Sequence, residues 1–206
     1  VDKEGNTLFD YRSKIGELIN NILQVDPQHI LLCSNVGSLW MGKLNNEGEI
    51  LSVEKVPTPF HSISAIGKVS DNVILLGTSG DGVWQAQFSD GTLSFDKIKP
   101  INKVDATLSK VSSIYVDSKH RAWISTNDNG IWCMDKMSET KSFSSIKLGI
   151  PKSVGTCFYP CGKGNLLLGT DGAGLILLDA NNNVLKRWTV NDGLPSNNVL
   201  DIEKYQ

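Results

Sequence analysis

The chain has 206 residues, of which 40% are hydrophobic and 20% are charged, and its formal net charge is −2. This composition supplies enough apolar material for a core and excludes a disordered chain. The sequence has no basic block, which argues against nucleic acid as a partner, and no apolar run approaches the roughly 18 residues of a membrane helix.

A short phrase built around one hydroxyl residue returns four times along the chain. Turn-forming Gly, Asn and Asp residues follow each hydroxyl, and an aliphatic residue stands five positions after it. The hydroxyl residues stand 44, 48 and 44 positions apart, at Ser34, Thr78, Thr126 and Thr170. A period of this size is typical of repeat architectures, whose function usually depends on a surface that the repeats share.

Each repeat contains short apolar runs bounded by turn residues, which indicates strands rather than helices. In the second repeat the predicted strands cover residues 63–69, 73–78, 83–88 and 92–98. Four antiparallel strands per repeat at this period predict the blades of a β-propeller. A β-sandwich would also contain short strands and turns, but it would not produce aligned columns at a fixed period.

We predict an all-β propeller segment of about four complete blades, with partial blades at both ends. The ends of the chain match each other at a constant offset of 177 residues, so that Tyr11 aligns with Trp188. Because open strand edges favour association, we expect self-association, as a homo-oligomer or by edge pairing. The predicted units are a blade end and linker at 1–18, blades at 19–62, 63–110, 111–153 and 154–198, and the start of a further blade at 199–206.

The fourth repeat carries the most detailed motif. Its second strand ends in Gly169-Thr170, the next turn contains Gly174-Leu175, and the linker at 192–197 reads Asp-Gly-Leu-Pro-Ser-Asn. This pattern resembles the two-component regulator propeller repeat, and the resemblance covers essentially the whole chain. The first repeat departs from the pattern, with Ser34 in place of Thr and Ser38 in place of Gly.

The resemblance implies a function as well as a fold. Such repeats typically build the periplasmic sensor region of hybrid two-component histidine kinases, often in Bacteroides-type gut bacteria. The segment would then be a non-catalytic module that recognises a glycan-derived ligand such as an oligosaccharide, and only the full-length protein would be attached to the membrane. Two alternatives stay open: a propeller enzyme that acts on polysaccharide, and a scaffold that binds another protein through a blade edge or rim.

The sequence contains no motif for catalysis, a cofactor or a metal, so we expect none of these in this segment. The histidines occupy different repeat positions and are expected in exposed turns, at His29, His61 and His120. Residues 160–165 superficially resemble a phosphate-binding loop but lack its spacing, which predicts a hairpin turn. A disulfide between Cys157 and Cys161 is less favoured than two unpaired thiols, because a bridge needs strict geometry.

The aromatic residues divide into core and ligand candidates. Trp40, Trp84 and Trp132 share one repeat column, which favours packing between blades over ligand stacking, and Trp123 stands where other repeats carry a core Leu. Loops at a propeller rim carry binding more often than strands do. Because sugar rings stack on aromatic faces, the candidate ligand-binding residues are Phe60, Tyr159 and Trp188.

Overall fold

A computed structural model describes residues 12–98, 109–127, 129–134, 143–149 and 154–204. In this part of the chain, four separate antiparallel sheets of four strands follow one another, and each sheet keeps its strands in sequence order. The only helical segments in these ranges are α1 (Arg12–Ile15) and a short 3-10 turn (Val190–Asp192). The prediction of an all-β chain built from four-stranded antiparallel units is confirmed.

The four sheets are the four predicted blades. In the second sheet, the strand limits agree with the predicted ones to within one residue at each end. The strands are β1 (Ile19–Asp26), β2 (His29–Ser34), β3 (Leu39–Leu44) and β4 (Ile50–Lys55); β5 (Ile63–Lys68), β6 (Val73–Thr78), β7 (Val83–Ser89) and β8 (Thr92–Ile98); β9 (Val111–Val116), β10 (Ala122–Thr126), β11 (Gly130–Met134) and β12 (Phe143–Ser145); and β13 (Val154–Pro160), β14 (Leu166–Asp171), β15 (Leu175–Leu178) and β16 (Val184–Trp188).

The core is divided into layers that lie between successive blades. Neighbouring residues of a strand point to opposite faces, so the second strand of each blade contributes to two layers. Leu75 of β6 packs with the third blade, whereas Leu76 packs with the first. Trp123 of β10 is only 2% exposed and packs with the fourth blade, which confirms its predicted place in the core.

The recurring hydroxyl holds the turn between the second and third strands of a blade. Thr170 is fully buried, donates to the Gly174 carbonyl at 2.6 Å and accepts from the Ala173 N–H at 3.1 Å. Thr78 and Thr126 make the corresponding pair of bonds in the second and third blades. Because buried backbone groups need partners, this hydroxyl is a determinant of the fold and not a sign of chemistry.

Side chains on the first strands connect each blade to the next. Ser64 donates to the Val111 carbonyl at 2.6 Å, and Ser112 donates to the Gly155 carbonyl at 2.9 Å. Thr156, which stands in the same repeat column, donates to the carbonyl of Val199. Val199 therefore occupies the position at which the first strands of the third and fourth blades begin.

The two predicted partial blades have different outcomes. Residues 1–11, which carry most of the predicted preceding blade end, lie outside the described residues. Residues 199–204 form no strand, although the Val199 N–H donates to the Thr170 carbonyl at 2.9 Å. The predicted limits of the units stay a prediction.

Candidate functional site

The chain topology gives the blades two different ends. In a sheet of four sequential antiparallel strands, the middle turn and the linker to the next blade lie at one end, which we call the linker end. The first and third turns lie at the other, which we call the hairpin end. Cavities lie at each of these ends and between the first strands of the blades.

At the hairpin end, a recess of about 420 Å³ lies between the third and fourth blades. We call it the blade 3–4 recess. The third blade contributes Tyr115 and the turn that carries Lys119, and the fourth blade contributes the turn that carries Lys163 and Asn165. The recess thus brings together side chains from two blades that lie more than 40 positions apart in the sequence.

A partly buried ion pair forms one wall of the blade 3–4 recess. Arg121 Nε donates to the Asp117 carboxylate at 2.8 Å, and each of these side chains is 13% exposed. The same carboxylate also accepts the backbone N–H groups of Lys119 and Arg121 at 2.9 Å. Because the carboxylate is held by backbone and guanidinium donors together, this wall is rigid before any ligand binds.

The ion pair is in turn held against the fourth blade. Arg121 lies 4.7 Å from the centre of the Trp123 ring and donates to the Ala180 carbonyl at 2.8 Å. The Trp123 indole N–H donates to the Asn182 side chain at 2.8 Å. These contacts join the third and fourth blades at the recess.

Tyr115 lies at the inner side of the same recess. Its ring centre is 5.7 Å from that of Trp123 and 6.2 Å from that of Phe158. Burial raises the pKa of Tyr115, and the Asp117 carboxylate raises it further, while Arg121 acts in the opposite direction. The phenol therefore stays protonated at neutral pH and is available as a hydrogen-bond donor.

The cavity between the first strands is smaller, at about 280 Å³, and is lined by hydroxyl groups. Three of these hydroxyls, on Ser64, Ser112 and Thr156, already donate to backbone carbonyls of the segment that follows each blade. Their donor capacity is used by the fold, so this cavity offers a ligand fewer free groups than its composition suggests.

At the linker end, a recess of about 500 Å³ lies between residues 36–39 and 55–62 and includes the predicted ligand residue Phe60. The Phe60 ring is only 2% exposed, and its centre lies 4.9 Å from that of Trp84 and 5.4 Å from that of Phe95. Stacking a sugar needs an open ring face, which Phe60 does not present. Phe60 is a core residue at the edge of this recess, and a ligand contact at this position stays a prediction.

The two other predicted ligand residues lie apart from Phe60 and from each other. Tyr159 is half-buried within β13 rather than in a loop, and it pairs with Leu167. Trp188 is half-buried on β16, at the opposite edge of the same sheet from β13, and the Lys186 ammonium lies 4.7 Å from the centre of its ring. The three residues therefore form no common site, and a ligand contact at Tyr159 or Trp188 stays a prediction.

The histidines differ from one another in their surroundings. The His61 side chain is 94% exposed, and His120 is exposed in a turn, with its ring Nδ1 against the Val69 carbonyl. His29 departs from the expected exposed turn, because it is half-buried and lies 2.9 Å from the Asp26 carboxylate. No group of three or more His, Cys, Asp or Glu side chains that could hold a metal occurs among the described residues.

No disulfide joins any of the four cysteines, which agrees with the favoured interpretation of Cys157 and Cys161. Burial raises the pKa of the Cys33 thiol to about 12. A thiol held so far from ionisation is not a nucleophile at neutral pH.

One feature of the sequence, a tyrosine column shared by two repeats, points to the blade 3–4 recess. The prediction considered loop aromatics one at a time and did not use this column. Tyr115 stands eleven positions before its repeat hydroxyl, in the same column as the predicted Tyr159. Lys163 lies in the turn at 160–165, which the structure confirms as a hairpin turn between β13 and β14.

In the first blade, the Glu17 carboxylate accepts the indole hydrogen bond that a backbone carbonyl accepts in the next two blades. Its carboxylate accepts from the Trp40 indole N–H at 3.1 Å and from the Ser38 hydroxyl at 3.2 Å, and it lies 3.7 Å from the Lys55 ammonium. Burial acts to raise the pKa of Glu17, but hydrogen bonds from Ser34, Trp40 and Ser38 and the charge of Lys55 outweigh it and lower the pKa. In the next two blades the indole donates to a backbone carbonyl three residues earlier, from Trp84 to Asp81 and from Trp132 to Asn129.

We expect the first blade to lose stability in acid through Glu17. A carboxylate whose pKa is lowered by folding stabilises the fold above its unfolded-state pKa, and this contribution is lost as the pH falls through the folded-state value. Urea unfolding at neutral pH and at about pH 3 should show a smaller loss of stability in Glu17→Gln than in the unchanged chain. The exposed Glu47→Gln serves as the control; an equal acid response in both variants would contradict the assignment.

Comparisons with known proteins identify the fold that this arrangement of blades forms. No protein-family model matches the chain, and no curated protein matches its sequence. Among solved structures, a β-propeller domain of Cps50 (Swd1) from Myceliophteria thermophila aligns with 79% of the chain and 55% of its own length, at 13% identity and a TM-score of 0.52. The fold is a β-propeller fold.

Two longer matches come from bacterial proteins. PorZ, a surface component of the type-IX secretion system of Porphyromonas gingivalis, aligns with 89% of the chain and 29% of its own length, at 15% identity and a TM-score of 0.66. The extracellular domain of a putative one component system from B. thetaiotaomicron aligns with 98% and 32%, at 16% identity and a TM-score of 0.62.

The propeller chain spans about a third of the length of these two structures or less. A further match at a TM-score of 0.54 is described as the extracellular domain of a putative hybrid two component system from the same organism. Across the described residues of the propeller chain, no helix is both long and apolar enough to cross a membrane.

Proposed function

We propose that the chain is a non-catalytic propeller module from the periplasmic sensor region of a hybrid two-component histidine kinase. The observation that carries this proposal is the match to the extracellular domain of the B. thetaiotaomicron system, which extends over 98% of the chain. The two-component regulator pattern of the fourth repeat supports it independently. In this proposal the module lies outside the cytoplasm and is connected to the membrane only through the full-length protein.

The module recognises a glycan-derived ligand, such as an oligosaccharide, and binding changes the relative arrangement of its blades or protomers. Side-chain hydrogen bonds such as Lys68 to the Val25 carbonyl and Ser64 to the Val111 carbonyl join described blades in addition to the apolar layers between them. A ligand that contacts two blades and binds one arrangement more tightly shifts the population toward it. Downstream segments of the receptor read that shift as the signal.

A glycan array probed with the labelled chain tests this function. The expected result is binding to a restricted set of oligosaccharides. Retention of a protein partner with no glycan signal would replace the proposal by a protein-binding scaffold. Release of shortened glycans from the array would replace it by a polysaccharide-acting enzyme.

We also propose that the chain associates with a second copy of itself. Large apolar side chains are exposed on the first and fourth blades and their flanking segments: Leu18 is 64% exposed, Ile22 67% and Leu200 81%. Exposed apolar residues at terminal blades favour contact between copies. Sedimentation velocity over a concentration series should show a dimer or larger species that grows with concentration. A single monomeric boundary at high concentration would contradict self-association.

A further inference from the structure

We propose that the blade 3–4 recess binds an acidic sugar, a carboxylate-bearing unit of one or two rings. The choice of a carbohydrate rests on the proposed function, whereas the charge and the place of binding rest on the recess itself.

The charge of the recess selects an anion. Its lining contains three cations, Lys119, Lys163 and Arg121, and one carboxylate, Asp117, in a chain whose net charge is −2. Arg121 and Asp117 neutralise each other in the rigid wall. Both lysine side chains are exposed. Neither ammonium group has a partner among the described residues, so these two groups supply the free positive charge. A concave surface lined by one sign of charge attracts the opposite charge of a ligand.

The neutral groups of the recess select hydroxyls. Neither the Tyr115 hydroxyl nor the Asn165 side-chain amide has a hydrogen-bond partner within the ranges that the structure describes. The backbone of Asn165 is fixed by bonds to Gly162 and Cys161, which holds the amide at the recess. A phenol donor and an amide that both donates and accepts match the vicinal hydroxyls of a sugar ring.

Size and surface fit the same ligand. A volume of about 420 Å³ falls in the range of roughly 300–1,000 Å³ that is typical of small-molecule sites. The half-buried Tyr115 ring adds an apolar surface beside the charged groups. A ligand in this place contacts two blades at once, which is the requirement for shifting their arrangement.

The other two cavities fit an acidic sugar less well. In the first-strand cavity, the hydroxyls of Ser64, Ser112 and Thr156 already donate to backbone carbonyls. At the linker end, the Lys55 ammonium lies beside the Glu17 carboxylate, which reduces the charge that it offers an anion.

Calorimetric titration of the chain with digalacturonic acid, and with neutral galactobiose as the uncharged match, tests the inference. We expect the acidic disaccharide to bind and to weaken as salt is added, because its carboxylates interact with ammonium groups. Lys119→Gln and Lys163→Gln should each weaken binding about tenfold, the value of one charge-assisted hydrogen bond. Tyr115→Phe should weaken it by about threefold to tenfold, as expected for one neutral hydrogen bond.

Lys43→Gln is the matched control, since Lys43 is an exposed strand lysine of the first blade and lies outside the recess. Its affinity should equal that of the unchanged chain, and circular dichroism verifies that every variant is folded. Equal binding by a variant that combines Lys119→Gln and Lys163→Gln, or no binding of digalacturonic acid, overturns the inference. Binding of galactobiose alone also overturns it but leaves the proposed function intact, whereas a glycan array without any signal overturns both.

Discussion

Gly174→Ala is expected to destabilise the chain by about 3 kcal/mol or more, which is at the upper end of the effects of single substitutions. Gly174 has φ of 81°, a conformation that costs other residues about 1–2 kcal/mol. An added Cβ would also lie 2.0 Å from the Trp188 carbonyl oxygen. That oxygen belongs to the backbone of β16, so the clash can be relieved only by moving the outer strand of the blade.

Gly172→Ala is the matched control for this prediction. Gly172 lies in the same turn with φ of 94°, but nothing lies within 4 Å of its Cβ position. It should therefore cost only the conformational part, about 1–2 kcal/mol. Urea unfolding of both variants measures the difference. Equal losses of stability would show that the close approach to β16 does not contribute.

The second large effect is expected for Leu75→Ala, at about 2–5 kcal/mol. Leu75 is fully buried in the layer between the second and third blades, where it belongs to a cluster with Ile124 and Met134. Truncation removes apolar contacts from both blades and leaves a cavity that close-packed neighbours fill only in part. The free energy of unfolding, again from urea denaturation, is the quantity to measure.

Leu167→Ala isolates the contribution of blade packing. Leu167 has the same residue type and the same repeat column as Leu75, but it lies on the fourth blade and is only half-buried. At protein concentrations low enough to prevent self-association, it should cost clearly less than Leu75→Ala. Similar costs would contradict the assignment of the core to layers between blades.

The blades were predictable because their determinants are local and repeated. The hydroxyl of Thr170, the glycine at Gly174 and the alternating apolar residues of β14 occur at the same spacing in other repeats, and each acts within its own blade. Alignment within one sequence therefore provided the strand limits of the second blade almost to the residue.

The position of Phe60 was not predictable in the same way. It lies in a linker whose sequence is not repeated. Its burial depends on Trp84 of β7 and Phe95 of β8, which lie more than 20 positions later in the chain. A loop position in the sequence does not indicate whether the ring turns toward solvent or toward the core.

The blade 3–4 recess could be predicted only in part. The column shared by Tyr115 and Tyr159 was visible, but Tyr115 becomes part of a recess because the turn carrying Lys163 lies opposite. The pairing of Asp117 with Arg121 depends on the geometry of one hairpin. The recess itself arises from contact between two blades, which column alignment does not encode.

Recognition without catalysis is the central claim, and equilibrium dialysis with mass spectrometric detection of the ligand tests it most directly. The chain would be dialysed to equilibrium against a mixture of defined oligosaccharides, acidic and neutral. We predict that a subset is enriched on the protein side and is recovered with unchanged mass. No enrichment of any oligosaccharide, or the appearance of hydrolysis products, would contradict this claim.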